Sequence, residues 1–256
     1  MIKAHDLRPM VSVIIPVYNA ARYLEQTVQS VLKQSFANYE ILLVDDGSTD
    51  GSKELLFRLQ EADDRIRVLV NEENLGVALT RNRAIEESRG TFLAFLDADD
   101  LWLPEKLEKQ LALAARTGAD LLYSSYSFVD QDGQPCGRSF LARPCVDFDS
   151  MLLRNEIGCS TAMVRRSALG AHRFLESFYH EDYVLWMELL KDGCIAAGVP
   201  EILADYRILP GSRSYRKLRS ARMRWTIYRK ALRLPLWKSI LSFVAYAVNG
   251  LMKYRL

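Results

Sequence analysis

The chain has 256 residues, and 49% of them are hydrophobic, which is enough for the core of one α/β domain with an extension. Its four cysteines, Cys136, Cys145, Cys159 and Cys194, include no CxxC pair. This spacing excludes an obvious zinc site or redox dithiol and favours reduced thiols in a cytosolic protein. The apolar run 11–17 is too short for a signal peptide or a spanning helix, so we expect a cytoplasmic protein.

Charge is distributed unevenly along the chain. The net charge is +2, yet residues 206–256 contain 13 Lys and Arg and no Asp or Glu, which leaves residues 1–205 with a net charge of −11. A basic segment attached to an acidic body indicates an anionic partner for that segment.

Apolar runs and turn signals alternate through the first half of the chain. They predict strands at 11–17, 39–44, 66–70 and 91–96, and helices at 19–34, 51–61, 76–88 and 104–117. Strands that alternate with helices of about 10–15 residues are typical of βαβ units. We therefore expect an α/β fold with a mostly parallel sheet flanked by helices.

The second half is less regular. It predicts a hairpin with its turn at Asp132-Gly133, a strand at 161–164, a helix at 182–191 and a strand at 201–208. Residues from Ser214 onward predict two helices separated at Pro235. The change in charge and pattern places a domain boundary near residue 205.

Two acidic turns follow predicted strands: Asp45-Asp46-Gly47-Ser48 and Asp97-Ala98-Asp99-Asp100. Ligands of open α/β sheets bind beyond the carboxyl ends of the strands, where both turns lie. Carboxylates crowded at one strand end repel unless donors or a cation offset the charge, and Mg²⁺ or Mn²⁺ would suit oxygen ligands. A solvated turn that caps the next helix is the alternative for each.

The acidic turns belong to a series of motifs that occur in a fixed order. The series consists of Pro16-Val17-Tyr18-Asn19, Asp45-Asp46-Gly47-Ser48, Asn74-Leu75-Gly76 with Arg81-Asn82, Asp97-Ala98-Asp99-Asp100 with Pro104, and Glu181-Asp182. In this order, over roughly residues 10–205, the chain resembles glycosyltransferase family 2, the inverting enzymes of GT-A fold. The resemblance implies a Rossmann-like GT-A catalytic domain at 1–205, followed by a helical extension at 206–256.

The resemblance also implies a donor site for a nucleotide-sugar. Asp46 would accept a hydrogen bond from the base, uracil in the best-known relatives, and Tyr18 would line or stack on that base. Pro16 and Val17 would shape the pocket through their backbone. Arg81 would lie near the nucleotide or diphosphate, although an exposed helix arginine is the alternative.

The second acidic turn would complete the donor site. Asp99 matches the metal ligand of the family's DxD motif, Asp97 would contact ribose or metal-bound water, and Ala98 lies between them. Asp100 would support these residues from behind. A divalent metal, Mn²⁺ or Mg²⁺, would offset the negative charge of the leaving diphosphate.

Glu181-Asp182 opens a predicted helix and matches the family's Glu-Asp motif. Asp182 would be the general base for the acceptor hydroxyl, and Glu181 would orient the acceptor or the loop. Favourable interaction with the helix dipole is the alternative for both acids. Trp186, one turn after Asp182, would either pack on the acceptor sugar or belong to the core.

The tail, residues 206–256, predicts a basic helix followed by a wide apolar one. The first has an apolar stripe of Tyr215, Leu218, Trp225, Tyr228 and Leu232. In the second, Ser239, Ser242, Tyr246, Asn249 and Lys253 form a narrow polar stripe. The uncharged stretch Ser239–Met252 has 14 residues, below the roughly 20 needed to span a membrane. We expect the tail to be an interfacial anchor on an anionic membrane, and we rank packing on the core or in a homodimer second. Nucleic acid ranks last, because no nucleic-acid-binding motif accompanies the positive charge.

These expectations combine into one function. The chain would move a single sugar from a UDP-sugar to a lipid-linked glycan acceptor, in surface polysaccharide assembly at the inner face of the plasma membrane. A metal-dependent nucleotidyltransferase and a non-catalytic membrane scaffold stay open as alternatives. An NAD-dependent enzyme is disfavoured because no GxGxxG follows the first strand.

Overall fold

The computed structural model of the chain describes residues 8–209 and 217–252, with side chains at 221–248 in the second range. The strands are β1 Val11–Val17, β2 Tyr39–Asp45, β3 Ile66–Val70, β4 Phe92–Phe95, β5 Leu101–Trp102, β6 Leu121–Val129, β7 Pro135–Phe140, β8 Cys145–Val146, β9 Met163–Arg165 and β10 Ala196–Arg207. The helices are α1 Leu24–Leu32, α2 Ser52–Ala62, α3 Val77–Glu87, α4 Lys106–Thr117, α5 Phe148–Leu153, α6 Arg166–Leu169, α7 Glu181–Lys191, α8 Lys217–Thr226 and α9 Leu236–Met252. A π-helical turn, Ile227–Ala231, continues α8.

One sheet runs through the molecule in the order β3-β2-β1-β4-β9-β6-β10-β5, with β7 paired to β6 and β8 to β10. Strands β3, β2, β1 and β4 are parallel, as are β6 and β10, while β9 lies antiparallel between β4 and β6. Strands β1, β2 and β4 are almost wholly buried and apolar because helices cover both faces. The predicted α/β fold with a mostly parallel central sheet is confirmed.

Each face of the sheet carries its own hydrophobic layer. Successive side chains of a strand point to opposite faces, so Val13 and Ile15 pack toward α1, α2 and α4, whereas Ile14 packs toward α3 and α7. The helices thus pin β1 from both sides. This leaves the carboxyl ends of the parallel strands as the edge from which polar loops emerge.

Strand register brings the sequence motifs to that edge. Val17 is paired with Asp45, and Ile14 with Phe95, so the residues that follow β1, β2 and β4 leave the sheet side by side. Asn19 joins two of these loops: its backbone N donates to Ser48 Oγ (3.0 Å), and its Oδ1 accepts from the backbone N of Thr49 (2.8 Å). Asn19 is left-handed, with φ 50°, and therefore does not cap a helix; α1 begins only at Leu24.

The tail contributes to the core. Tyr228 and Leu232, two residues of the predicted apolar stripe, are buried together with Ile227 and Leu234 in the layer that contains α7. Tyr215 and the side chain of Leu218 lie outside the described residues. Within the described part, no helix is both long and apolar enough to cross a membrane. The sequence boundary near residue 205 therefore does not separate two cores.

Candidate active site

The loop after β1 presents an aromatic ring. Tyr18 follows the last residue of β1 and is 53% exposed, whereas Val17 is buried and Pro16 is half-buried. A large apolar ring left in water at the ligand-binding edge of a sheet can serve as a stacking surface for a planar ligand.

Asp46 is held rigidly at the end of β2. It is buried; its Oδ1 accepts from Asn71 Nδ2 (2.8 Å) and the backbone N of Leu75 (2.9 Å), and its Oδ2 accepts from the backbone N of Gly76 (2.9 Å). These bonds fasten the loop that leads into α3. An ionised carboxylate offers about four acceptor positions, so one position is left for a ligand.

The second acidic turn contains one structural carboxylate. Asp100 is buried; its Oδ2 accepts from Ser160 Oγ (2.5 Å) and its Oδ1 from the backbone N of Arg207 (2.8 Å). Burial, together with the charges of Asp99 and Asp97, raises the pKa of Asp100 well above the ordinary value. These bonds tie the turn to β10 and to the segment before β9.

The other two carboxylates of this turn are half-buried and remain available to a ligand. Burial, and then the like charge of Asp97, raises the pKa of Asp99 to about 6. The described residues include no cluster of three or more His, Cys, Asp or Glu side chains that could hold a metal by themselves. A cation that also binds phosphate oxygens requires only one or two carboxylates, and Asp97 and Asp99 fit that kind of site.

Arg81 joins the acidic turn to α7. Its Nη2 donates to Asp97 Oδ1 (2.5 Å), its Nη1 donates to Glu181 Oε1 (2.9 Å), and its guanidinium lies 5.2 Å from the centre of the Phe174 ring. The side chain is only 4% exposed, so Arg81 is not the exposed helix arginine of the alternative interpretation. Because two carboxylates share one buried cation, Arg81 sets the distance between the donor turn and the start of α7.

Asp182 lies beside this ion pair, in the first turn of α7, and is half-buried. Burial raises the pKa of Asp182, while the positive charge of Arg81 opposes the shift. A carboxylate with a raised pKa, in front of an acidic turn and next to a fixed arginine, has the properties expected of a general base.

Trp186 requires a correction. It has no exposed surface, and its ring packs against Phe95 (5.8 Å between centroids) and Phe174 (6.1 Å). At Trp186, one helical turn after Asp182, the side chain of α7 already points into the core. Trp186 therefore supports α7 from behind and does not offer a surface for an acceptor sugar.

Two supports of the site were missed from the sequence. Arg207 was counted with the basic tail, but it is 2% exposed, and its Nε donates to the backbone O of Asp99 (2.7 Å). Ser160 Oγ accepts from the backbone N of Asp97 (3.2 Å) as well as donating to Asp100. The available sequence signal for Arg207 is a single arginine at the end of a predicted strand. Ser160 has no such signal, because the two contacts of its hydroxyl group are with residues 63 and 60 positions away.

Solved structures share this arrangement of sheet and helices. Staphylococcus aureus TarS in complex with UDP-GlcNAc superposes with a TM-score of 0.72 at 20% identity, over 93% of this chain and 71% of TarS. The mannosyltransferase PcManGT of Pyrobaculum calidifontis, in complex with GDP-Man and Mn²⁺, gives 0.70 at 23% identity, over 94% and 70% of the two chains. The fold is that of the GT-A glycosyltransferases.

Sequence relatives narrow the class further. Residues 12–172 match the family model described as glycosyl transferase family 2, and the chain belongs to that family. A Bacillus subtilis protein named for teichuronic acid biosynthesis, TuaG, is 40% identical over 96% of this chain and 98% of its own length. The Escherichia coli UDP-Glc:alpha-D-GlcNAc-diphosphoundecaprenol beta-1,3-glucosyltransferase WfgD is 34% identical over 96% and 95%. The predicted family and fold are thereby confirmed.

Proposed function

We propose that this glycosyltransferase moves one sugar from a UDP-sugar to a hydroxyl group of a lipid-linked glycan, with inversion, during cell-surface polysaccharide synthesis. The observation that carries the proposal is Arg81, which binds Asp97 of the donor turn and Glu181 of the acid pair at once. One ion-pair network centred on the buried Arg81 would thus join the two halves of a transfer site. The names of WfgD and TuaG supply the classes of donor, acceptor and product.

The nucleotide would bind at the end of β1 and β2. The exposed ring of Tyr18 would stack on the uracil, and the free acceptor position of Asp46 would take a hydrogen bond from the base. Val17 and Pro16 would form the wall through their backbone, and Ala98, with its small buried side chain, leaves room beside the diphosphate.

The diphosphate would lie against the acidic turn. A divalent cation held by Asp99, with Asp97 beside it, would offset the charge that develops on the leaving diphosphate. Arg81, which donates to Asp97 Oδ1, would keep that carboxylate oriented toward this position. Arg207, which binds the backbone O of Asp99, stops the turn from moving away.

The acceptor hydroxyl would approach from the side of α7. Its pKa is far above neutral, so it requires a base as it attacks, and Asp182 is the carboxylate that can take the proton. Glu181 is engaged by Arg81, which leaves Asp182 as the freer member of the pair. A single displacement at the anomeric carbon then inverts its configuration.

Titration calorimetry with UDP, GDP and dTDP, each with Mn²⁺ and with EDTA, tests the donor site. We expect UDP to bind, and to bind much more weakly after removal of the metal. Asp99→Ala should abolish the metal-dependent part, whereas Asp192→Ala, a change of the same kind at the far end of α7, should not. Binding that neither EDTA nor Asp99→Ala alters would contradict the metal role.

A nucleotidyltransferase is the rival reaction, and its product separates the two. Incubation with a UDP-sugar and a lipid-linked diphosphate acceptor should release UDP in step with extension of the glycan. Release of pyrophosphate from a nucleoside triphosphate would instead favour the rival, and no turnover with intact nucleotide binding would favour a scaffold.

A further inference from the structure

Helix α9 packs on the rest of the molecule with its more polar side, which is the side that a surface helix usually exposes. Its polar residues Ser239 and Ser242 are buried, and Ser239 Oγ donates to the backbone O of Pro235 (3.1 Å) within the same turn. Phe243 and Tyr246 complete the inward side, and Phe243 packs edge-on against Trp225 (5.7 Å between centroids). A surface helix normally turns its apolar side to the core, so α9 is inverted.

The outward side of α9 is a continuous apolar surface. At 100° per residue, its members cover an arc of about 140° of the helix without a charged residue. Leu236, Trp237, Ile240, Leu241, Val244, Ala247 and Val248 form this surface, which we call the α9 face. Trp237 and Leu241 are 64% and 62% exposed.

The α9 face is concentrated, not scattered. Six of the fourteen large hydrophobic side chains exposed in the described part of the chain lie on this one helix. Scattered single residues of this kind are normal on a protein surface, but a contiguous group marks a place where something else binds.

The charges of the segment that leads into α9 indicate what binds to the α9 face. Arg222, Arg229, Lys230 and Arg233 are exposed on the segment that leads into α9, and residues 206–256 contain no acid. A second copy placed on the same face by twofold symmetry would bring these cations together. The interface of an acidic bilayer has anionic headgroups over an apolar interior. It therefore complements both the apolar α9 face and the exposed cations of the segment before it.

We propose that the α9 face docks flat on an anionic lipid bilayer, with Trp237 and Leu241 inserted among the acyl chains. The inward side of the same helix is held by the core, so docking would orient the whole catalytic domain and not only a flexible tail. The proposal stands on the exposure and charge of this segment and does not depend on which sugar is transferred.

Sedimentation of the full-length protein with vesicles of phosphatidylglycerol and phosphatidylcholine tests the docking. Trp237→Ser with Leu241→Ser should weaken partitioning by roughly tenfold or more, because two inserted apolar side chains are lost. Leu141→Ser with Ile195→Ser is the matched control, since these residues are 63% and 55% exposed elsewhere, and it should partition like the unchanged protein.

The same assay can measure the electrostatic contribution to vesicle binding separately. Arg222→Gln with Lys230→Gln should weaken binding and reduce its dependence on salt, while Lys53→Gln with Arg58→Gln, exposed on α2, should change neither. Vesicles of phosphatidylcholine alone should bind the unchanged protein much more weakly.

Fluorescence locates the inserted residue. Trp102 and Trp186 are buried, Trp225 is half-buried, and Trp237 is the exposed tryptophan. Lipids brominated in the acyl chain should quench the unchanged protein but not Trp237→Phe, which should still bind. Equal partitioning of both serine pairs, no vesicle binding, or a dimer that only Trp237→Ser with Leu241→Ser dissociates would each overturn the proposal.

Discussion

Neighbouring aspartates of one turn differ in their contacts. Asp100 uses both oxygens to hold Ser160 and the backbone of β10, Asp97 binds Arg81, and Asp99 is left with a pKa raised to about 6. At α7 the same division recurs, since Glu181 is paired with Arg81, whereas Asp182 is half-buried and burial raises its pKa. At the scale of the residue, the partners decide which carboxylate is structural and which is available for chemistry.

Asp182→Asn tests the available carboxylate of α7. The amide cannot take a proton, so we expect transfer to fall by about 10²–10⁴-fold, as is typical when a general base is lost. Donor binding, measured by the UDP titration, should stay unchanged. Asp192→Asn, at the residue directly after the same helix, should retain normal transfer. Transfer near the normal rate in Asp182→Asn would place the base elsewhere.

Helix α8 contributes a buried arginine to the surroundings of α7. Arg224 is 4% exposed, and its guanidinium lies 3.5 Å from the centre of the Tyr183 ring and 4.8 Å from that of Tyr246. Three elements therefore meet at this cation: α7, α8 and α9. Tyr183 is the residue after Asp182, and the positive charge of Arg224 lowers the pKa of Asp182.

Arg224→Met should shift the pH dependence of transfer. The base acts as a carboxylate, so activity falls as the pH falls through the pKa of Asp182. Burial raises that pKa, whereas Arg81 and Arg224 lower it and Asp97 raises it. Without Arg224 the pKa of Asp182 rises, and the acid limb of kcat moves to higher pH. The loss of kcat should therefore be larger at low pH than on the alkaline plateau, where Asp182 is fully ionised.

Two controls separate charge from packing at this position. Arg224→Lys keeps the positive charge, and its acid limb should stay near that of the unchanged enzyme. Arg222→Met changes an exposed residue of the same helix, and it should leave the position of the acid limb unchanged. A uniform loss of activity at every pH in Arg224→Met would show that the arginine only supports the fold.

At the scale of the whole molecule, the tail belongs to the folded unit. Ile227 and Tyr228 are fully buried in the layer that contains α7, and Tyr228 Oη donates to the backbone O of Leu152 in α5 (2.9 Å). The outward side of α9 is apolar and exposed. One segment thus completes the core with one side and offers a docking surface with the other.

A matched pair of isoleucines tests this division. Ile227→Ala removes a fully buried side chain and should lower the free energy of unfolding by about 2–5 kcal/mol. Ile240→Ala makes the same chemical change at a residue that is 47% exposed and should alter it by less than about 0.5 kcal/mol. Urea denaturation compares them; equal and small effects would mean that the tail folds independently of the core.

The amino-acid sequence by itself determined the alternation of buried strands and amphipathic helices, and with it the sheet, because local periodicity records which side of each element is buried. The order of the motifs determined the family, now confirmed by the family model. It also placed Tyr18, Asp46 and Asp97 at strand ends, where register alone brings them to one edge.

Only the tertiary structure decided what those residues contact. Arg81 binds Glu181 across 100 positions, and Arg207 reaches the turn at Asp99 from the end of β10, contacts that no local pattern records. Periodicity likewise showed that α9 has a polar and an apolar side, but not which one faces inward. That choice depends on the surface on which α9 packs, and here the core takes the serines and leaves the apolar side exposed.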